Sequence, residues 1–583
     1  MNVPLALPLP SLRFSGRRWL ALATALILFV GGCAELPAQV ERPVSKAFAN
    51  PESTDLGALT QSARRGAGAG EVSGYLLLAG AQDAYAARLA LVRAAQKTLD
   101  LQYYAIHADA SSGQLLRAVH EAAGRGVKVR ILLDDLHSTG RNASVMRLAF
   151  EPNIEMRMFN PLAGSRSSVA ARMLNAVDDA GQLQQRMHNK LFLADNAMGV
   201  TGGRNLGDAY FGAGTDANFV DVDVLAAGPI VKDLSRSFDD YWNNQLAYPV
   251  QSLVSREEID KIRADAKRER EDEEKAGKDK PPAPDDTPMD LRKVRFVWAP
   301  AVMLADKPGK IPAGSGGQTG SAAQPGLVVR GSGNTAGPIK AAASDDDSVV
   351  DGLLSLFDRA RTELNIVSPY FVPGTDMKRA LAAARARGVK VRVLTNSLAS
   401  NDAVAAHAGY ARHREELLAM GVELHEMRSD PEAAAAMSKS GSGSGMSGSS
   451  SGAGKSSSPF GSSGSSGSSA VGGASRSMLH SKLLTIDGRL IVIGSMNLDL
   501  RSQLQNTEIA LLIRSDELAR QANERIEASF RTGSWRVEKV DGKLVWRAPE
   551  GSGLKDSSTE PQTTFKQRMM VRVIGPLAPD RLL

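Results

Sequence analysis

Two stretches of this chain hold the same reactive side chains at the same spacing. His188-Asn189-Lys190 is followed by Asp195 and then by Gly202-Gly203-Arg204-Asn205. His480-Ser481-Lys482 is followed by Asp487 and then by Gly494-Ser495-Met496-Asn497. Both obey H-x-K-x4-D-x6-G-[GS]-x-N. On a strand, positions i and i+2 share a face, so each histidine stands beside its lysine. An imidazole next to an ammonium suits attack on a phosphodiester. The histidine can act as nucleophile or general acid, and the lysine can hold phosphate oxygens as negative charge builds. The asparagine after the glycine pair adds an amide donor for the same oxygens. One H-x-K is a weak signal, but two extended copies at matching spacing are not explained by chance strand edges.

The doubled pattern resembles the phospholipase D superfamily, whose HKD motif it reproduces twice. That resemblance implies an α/β fold of two pseudo-symmetric α-β-α sandwich domains, with the active site at their interface. It also implies two-step chemistry through a covalent phosphatidyl-histidine, with no cofactor and no metal. The motif supplies the catalytic set His188, Lys190, Asp195, His480, Lys482 and Asp487. By family habit His188 is assigned as nucleophile and His480 as acid/base. The two lysines, with Asn205 and Asn497, are expected to stabilise the charged phosphorus centre. Asp195 and Asp487 are expected to brace the turns of the motif. Ser495 stands where the first copy has Gly203, so a hydroxyl contact to phosphate is expected on the second side alone. A nucleophilic imidazole needs an acceptor on its other nitrogen. Asn506-Thr507-Glu508-Ile509-Ala510 and Asp221-Val222-Asp223-Val224-Leu225 share a polar-x-acid-apolar-apolar form, which nominates Glu508 and Asp223 as the orienting acids. His107 and His137 follow strand ends and are candidate substrate contacts.

The runs Leu99–Tyr104, Gly202–Phe211, Thr395–Ala399 and Gly494–Ser502 resemble bacterial cardiolipin synthases, the C-type in particular. The likeness covers most of residues 74–250 and 345–583. It implies phosphatidyl transfer to a phosphatidylglycerol hydroxyl, making cardiolipin, with phosphatidylglycerol or phosphatidylethanolamine as donor. The expected partner is phospholipid in a membrane, and a need for an accessory protein stays open. The same residues would serve a phospholipase D that hands the intermediate to water. A metal-independent nuclease and a non-catalytic lipid-binding lipoprotein are the remaining alternatives. Net charge is +6, and removing the leader arginines Arg13, Arg17 and Arg18 leaves +3. With aromatic content of only 5%, that is a poor basis for a nucleic-acid groove.

The N-terminus predicts how the chain is held. Three arginines precede an apolar run, Trp19–Val30, too short to span a bilayer comfortably. Val30-Gly31-Gly32-Cys33 then resembles a bacterial lipobox, which implies cleavage before Cys33 and lipid attachment there. Many cardiolipin synthases begin instead with membrane helices. Cys33 is the sole cysteine, so no intrachain disulfide can form. By resemblance to lipoprotein sorting, Ala34 after it implies the outer membrane, facing the periplasm.

The elements that must position the motifs repeat as well. Thr98–Ala105 reads as a strand, Ser112–Gly124 as an amphipathic helix and Gly126–Leu133 as a strand. Glu363–Tyr370, Met377–Arg387 and Gly388–Leu394 restate that order. The copies are offset by 262 residues at Gly126 and Gly388 but by 292 at the two motif histidines, so thirty residues entered the second half between these landmarks. The Gly/Ser tract from Ser438 to Ser477 accounts for them and reads as a solvated insertion. Five units are expected: a signal peptide at 1–32, a tether at 33–75, a first domain at 76–250, a linker at 251–345 and a second domain at 346–583. Within the linker, Ser255–Lys280 reads as a solvated, charge-paired helix, Val294–Ala299 as a strand and Lys307–Ala343 as a Gly-rich loop. The apolar residues of Thr563–Leu583 read as packing on the body, with contact to a membrane surface as the alternative.

Overall fold

The computed structural model describes residues 36–164, 166, 183–275, 284–312, 324–331, 347–438, 475–575 and 579–580. Cys33 and its leader, and all but the ends of the Gly/Ser tract, lie outside the described residues.

Strand alternation and apolar runs build two sheets. The first has nine strands, in spatial order Val297–Ala299, Ser73–Leu78, Asp223–Ala227, Met198–Gly202, Leu191–Ala194, Thr98–Tyr103, Lys128–Asp134, Ile154–Phe159 and Ala247–Pro249. The second has ten: Leu327–Gly331, Ala301–Asp306, Ile509–Arg514, Leu490–Gly494, Leu483–Ile486, Glu363–Val367, Lys390–Asn396, Glu423–Met427, Ser534–Val540 and Lys543–Arg547. Omitting the first strand of each sheet and the last of the second, the two orders correspond strand for strand. In both, the strand that follows an H-x-K sits at the centre, antiparallel to both neighbours. The strands beyond it, Thr98–Tyr103 with Lys128–Asp134 and Glu363–Val367 with Lys390–Asn396, are parallel, as helical crossovers require.

Helices cover both faces. One apolar cluster sets Leu99, Leu101, Val129 and Ile131 against Leu89, Val92, Leu115 and Val119. Its counterpart sets Leu364, Ile366, Val391 and Val393 against Leu353, Phe357, Leu381 and Leu417. Between them lies one continuous cluster drawn from both halves. Leu191, Leu193, Val224, Phe238 and Trp242 meet Leu483, Ile493, Leu511, Leu518 and Ile526 there. The inner faces of the two sandwiches therefore share a core, so the α/β expectation of paired domains holds and the halves are one packed body. Backbone pairing adds to it, because Arg476–Leu479 runs parallel to Ala217–Val220 across the boundary.

Two readings of the linker change. Ala301–Asp306 and Leu327–Gly331, expected to be linker, form the edge of the second sheet. The charged helix spans Arg256–Lys275 and is not wholly solvated. Ile259, Ile262 and Ala266 are buried, with Ile259 and Ile262 part of the first core. Among the described residues no helix is long and apolar enough to cross a membrane.

Candidate active site

The two H-x-K segments are hung from the opposite half of the chain. The His188 amide donates to the Thr507 carbonyl at 2.9 Å, and the His480 amide to the Val220 carbonyl at 2.8 Å. The middle residues are cross-anchored too. Thr507 Oγ1 donates to Asn189 Oδ1, and Ser481 Oγ to the Val220 carbonyl. Just before each histidine, the Met187 amide donates to Asp134 and the Leu479 amide to Asn396. Asp134 and Asn396 end equivalent strands. They are positioning residues that spacing around the motifs did not reveal.

The orienting acids are likewise exchanged. His188 Nδ1 lies 3.0 Å from both oxygens of Glu508, one of the two acids nominated from the sequence. His480 Nδ1 lies 2.7 Å from Asp221 Oδ2, so Asp221 takes the place expected for Asp223. Register explains the correction. Gly202 pairs with Asp223 while Gly494 pairs with Ala510, so Asp223 is the counterpart of Ala510 and Asp221 that of Glu508. Asp223 instead faces Arg88 at 2.8 Å and accepts from the Arg204 amide, an ion pair sealed inside the first half. A carboxylate can only accept, so each Nδ1 carries the proton and each Nε2 keeps its lone pair.

The residue after each motif glycine differs for a steric reason. A Cβ on Gly203 would stand 2.5 Å from Asp221 Oδ2, so the short acid needs glycine there. Ser495 fits beside the longer Glu508 and donates its hydroxyl to that carboxylate. Its expected contact to phosphate is therefore replaced by a contact to the orienting acid. Ser502 Oγ donates to the other oxygen at 2.9 Å. Gly203→Ala is expected to push Asp221 off His480. It should lower turnover ~10-fold or more and stability by about 1–3 kcal/mol, the range for overpacking a tight site. Steady-state rates and denaturant titration would read both effects.

Asp195 and Asp487 do brace turns. Asp195 accepts from the amides of Gln96, Lys97 and Thr98, and Asp487 from those of Arg361, Thr362 and Glu363. Both have positive φ, 51° and 53°. They fix the start of the neighbouring strand and do not touch the histidines. Asn205 is also occupied: it accepts from the Ala105 amide and donates to the Tyr210 hydroxyl at 3.0 Å. Asn497 is buried, and its Oδ1 has no protein partner. Aromatic rings wall the histidines. Tyr104 lies 5.0 Å from His188 centroid to centroid, and Tyr210 and Phe219 lie 5.3 and 5.0 Å from His480. His137 packs edge-on against Tyr104, and His107 stacks on Tyr210. These two histidines sit one layer behind the motif pair.

Charge is concentrated here. Burial, reinforced by Lys190 and Lys482, pushes His188 down to about 4 despite Glu508. Burial and both lysines hold His480 well below its ordinary value. Burial opposes ionisation of Glu508, yet His188, Lys190 and Ser495 hold it down at about 2. Burial raises Asp221. Desolvation and mutual repulsion bring Lys190 down to about 7, and desolvation brings Lys482 to about 8. Each ammonium spends one donor on the carbonyl of its own motif histidine, at 2.6 and 2.7 Å. An ammonium has three donors, so both lysines keep capacity for an anion. Two neutral imidazoles with free Nε2 atoms, flanked by two buried ammonium groups, can cleave and re-form a phosphoester.

A family model described as "Cardiolipin synthase, PLD-like domain" matches residues 89–242, 353–439 and 456–530. Cardiolipin synthase C of Escherichia coli (strain K12) is 33% identical over 520 residues, covering 86% of this chain and 94% of that protein. An uncharacterized protein of Helicobacter pylori (strain ATCC 700392 / 26695) is 28% identical over 570 residues, 96% of this chain and 98% of its own. Among solved structures, a phosphatidylserine synthase of Haemophilus influenzae superposes with a TM-score of 0.51 at 13% identity, over 90% of this chain and 98% of that one, and supports the fold. The twin motifs, the shared core and these relatives agree: the chain belongs to the cardiolipin synthase family of phospholipase D-like proteins, enzymes that modify phospholipids.

Proposed function

We propose that this chain makes cardiolipin, transferring a phosphatidyl group from phosphatidylglycerol or phosphatidylethanolamine to a phosphatidylglycerol hydroxyl. The observation that carries this reading is the crossed pair of dyads, His188–Glu508 and His480–Asp221, in a relative of E. coli cardiolipin synthase C. His480 first takes up a proton at Nε2 as the anionic substrate binds. His188 Nε2 then attacks phosphorus, and the bond to the headgroup oxygen breaks as that oxygen takes this proton, which leaves His480 neutral. The phosphatidyl group is then held on His188. The acceptor hydroxyl passes its proton to His480 and attacks the same phosphorus, which frees His188. Lys190 and Lys482 hold the phosphate oxygens throughout, and Tyr210, steadied by Asn205, closes the His480 side. Asp221 and Glu508 keep each imidazole in the tautomer this sequence needs. Phosphatidylglycerol vesicles supplied with labelled glycerol or ethanolamine headgroups would identify the donor. Release of neither headgroup would overturn the reading.

The lysines give it a pH signature. A phosphate-like anion binds the protonated ammonium groups, which in the empty site titrate near 7 and 8. Affinity for tungstate should therefore be full below pH 7 and fall as the pH rises through 8, by about tenfold per unit for each proton taken up on binding. Calorimetry in buffers of different ionisation heat would show that uptake. A flat profile would contradict it. We further propose attachment to the outer membrane through a lipid on Cys33. Incorporation of labelled fatty acid, lost in Cys33→Ser, would test it.

A further inference from the structure

We propose that the helix Phe565–Ile574 is a membrane-docking element that seats the chain on an anionic phospholipid surface beside the active site. Of the two readings the sequence allows for this segment, packing on the body is the one it favours, but the helix presents apolar side chains outward. Phe565, Met569 and Val573 recur every four residues and so share one face. They are 69%, 39% and 59% exposed, with Met570 beside them at 41%. Four of the seven large apolar side chains that stand exposed among the described residues are on this one helix. The helix is well formed, because Thr564 and Gln567 make a reciprocal capping box at its start. Its exposed face is therefore a built feature and not a fraying end.

Charge selects the occupant. The helix carries Lys566, Arg568 and Arg572 and no acidic residue, and Lys566 and Arg572 are exposed. An apolar stripe flanked by basic side chains suits burial at the boundary between acyl chains and anionic headgroups. The other side of the segment is tied to the body. Gly575 lies against Ala408 and its carbonyl accepts from Arg412, while Asp580 pairs with His413 at 3.0 Å. Those partners sit on the helix Val404–Ala419, which begins just after Asp402. Asp402 accepts from the Tyr370 hydroxyl at 2.6 Å, and its charge acts on His480 and Lys482. One rigid helix therefore links the docking face to the rim of the site. Docking does not require the transferase reading, since a hydrolase or a lipid-binding protein would use the same surface.

The test uses the full chain with Cys33→Ser, so that an introduced cysteine is the sole thiol. A fluorophore on Met569→Cys is compared with one on Lys267→Cys, an exposed position on the charged helix. With vesicles of phosphatidylglycerol bearing nitroxide-labelled acyl chains, quenching at 569 should exceed that at 267 by ~3-fold or more, and phosphatidylcholine vesicles should give less. Equal quenching at both positions would overturn the proposal. So would a label at 569 already shielded without vesicles, which would mean that another segment or a second copy covers the face. The variant Phe565→Asp/Met569→Asp/Val573→Asp changes only exposed residues. It should lower turnover of vesicle lipid ~10-fold or more while leaving turnover of monomeric short-chain lipid unchanged. An equal loss on both substrates would also overturn the proposal. If no lipid is turned over at all, the catalytic reading fails, but the quenching comparison still decides docking.

Discussion

His188→Ala is expected to abolish transfer, with a loss of about 10⁴-fold or more, the scale seen when a covalent nucleophile is removed from a coupled site. His480→Ala should be equally inactive toward natural lipids but should fail at a different step. Its neutral His188, held by Glu508 at 3.0 Å, keeps the lone pair needed for attack. A substrate with a nitrophenol leaving group needs no proton from His480. On that substrate His480→Ala should release one equivalent of nitrophenol per chain and then stop, with the phosphatidyl group held on His188. His188→Ala should show no burst. The near-symmetry of the dyads makes this a real choice, and a burst from His188→Ala in place of His480→Ala would exchange the two roles.

Asp221→Asn and Asp223→Ala, two residues apart, should fail in opposite ways. Asp221→Asn keeps shape but cannot hold the His480 Nδ1 proton as a carboxylate does, so turnover should fall by about 10²–10⁴-fold. Its thermal stability should change little, because burial already disfavours the charge on Asp221. Asp223→Ala leaves Arg88 without its carboxylate where the guanidinium is 1% exposed. Removing one partner of a buried pair costs about 3–5 kcal/mol. The position itself tolerates alanine, since Ala510 occupies it in the second half. The folded fraction of Asp223→Ala should keep its pH profile. Denaturant titration and kcat on both variants would check this. Lost activity with intact stability in Asp223→Ala would contradict the register.

Much of this site could be read from sequence because its parts are local. H-x-K on a strand fixes which side chains share a face, and the repeat of strand, helix and strand around Gly126 and Gly388 exposes the duplication. Glu508 is legible because one acid alone immediately precedes its strand. Asp221 was missed because two acids alternate there, and only pairing with Gly202 tells them apart. Loop length misled as well: Asp221 follows Asn205 by sixteen residues, whereas Glu508 follows Asn497 by eleven. The direction of the Ser495 hydroxyl is a tertiary fact, set by how far the longer acid reaches. The buried stripe of Ile259, Ile262 and Ala266 was present at helical spacing but was masked by charge. The run Ala301-Val302-Met303-Leu304-Ala305 had the form of a buried strand, hidden by the Gly-rich stretch that follows. The exchange of orienting acids between halves could not be seen without the shared core that brings them together.

The most direct measurement is mass spectrometry of lipid products from deuterated phosphatidylglycerol vesicles, with and without phosphatidylethanolamine, using wild type, His188→Ala and His480→Ala. The account predicts cardiolipin carrying label from the acceptor in wild type and none from either variant. Phosphatidic acid without cardiolipin, or cardiolipin that persists in His188→Ala and His480→Ala, would contradict it.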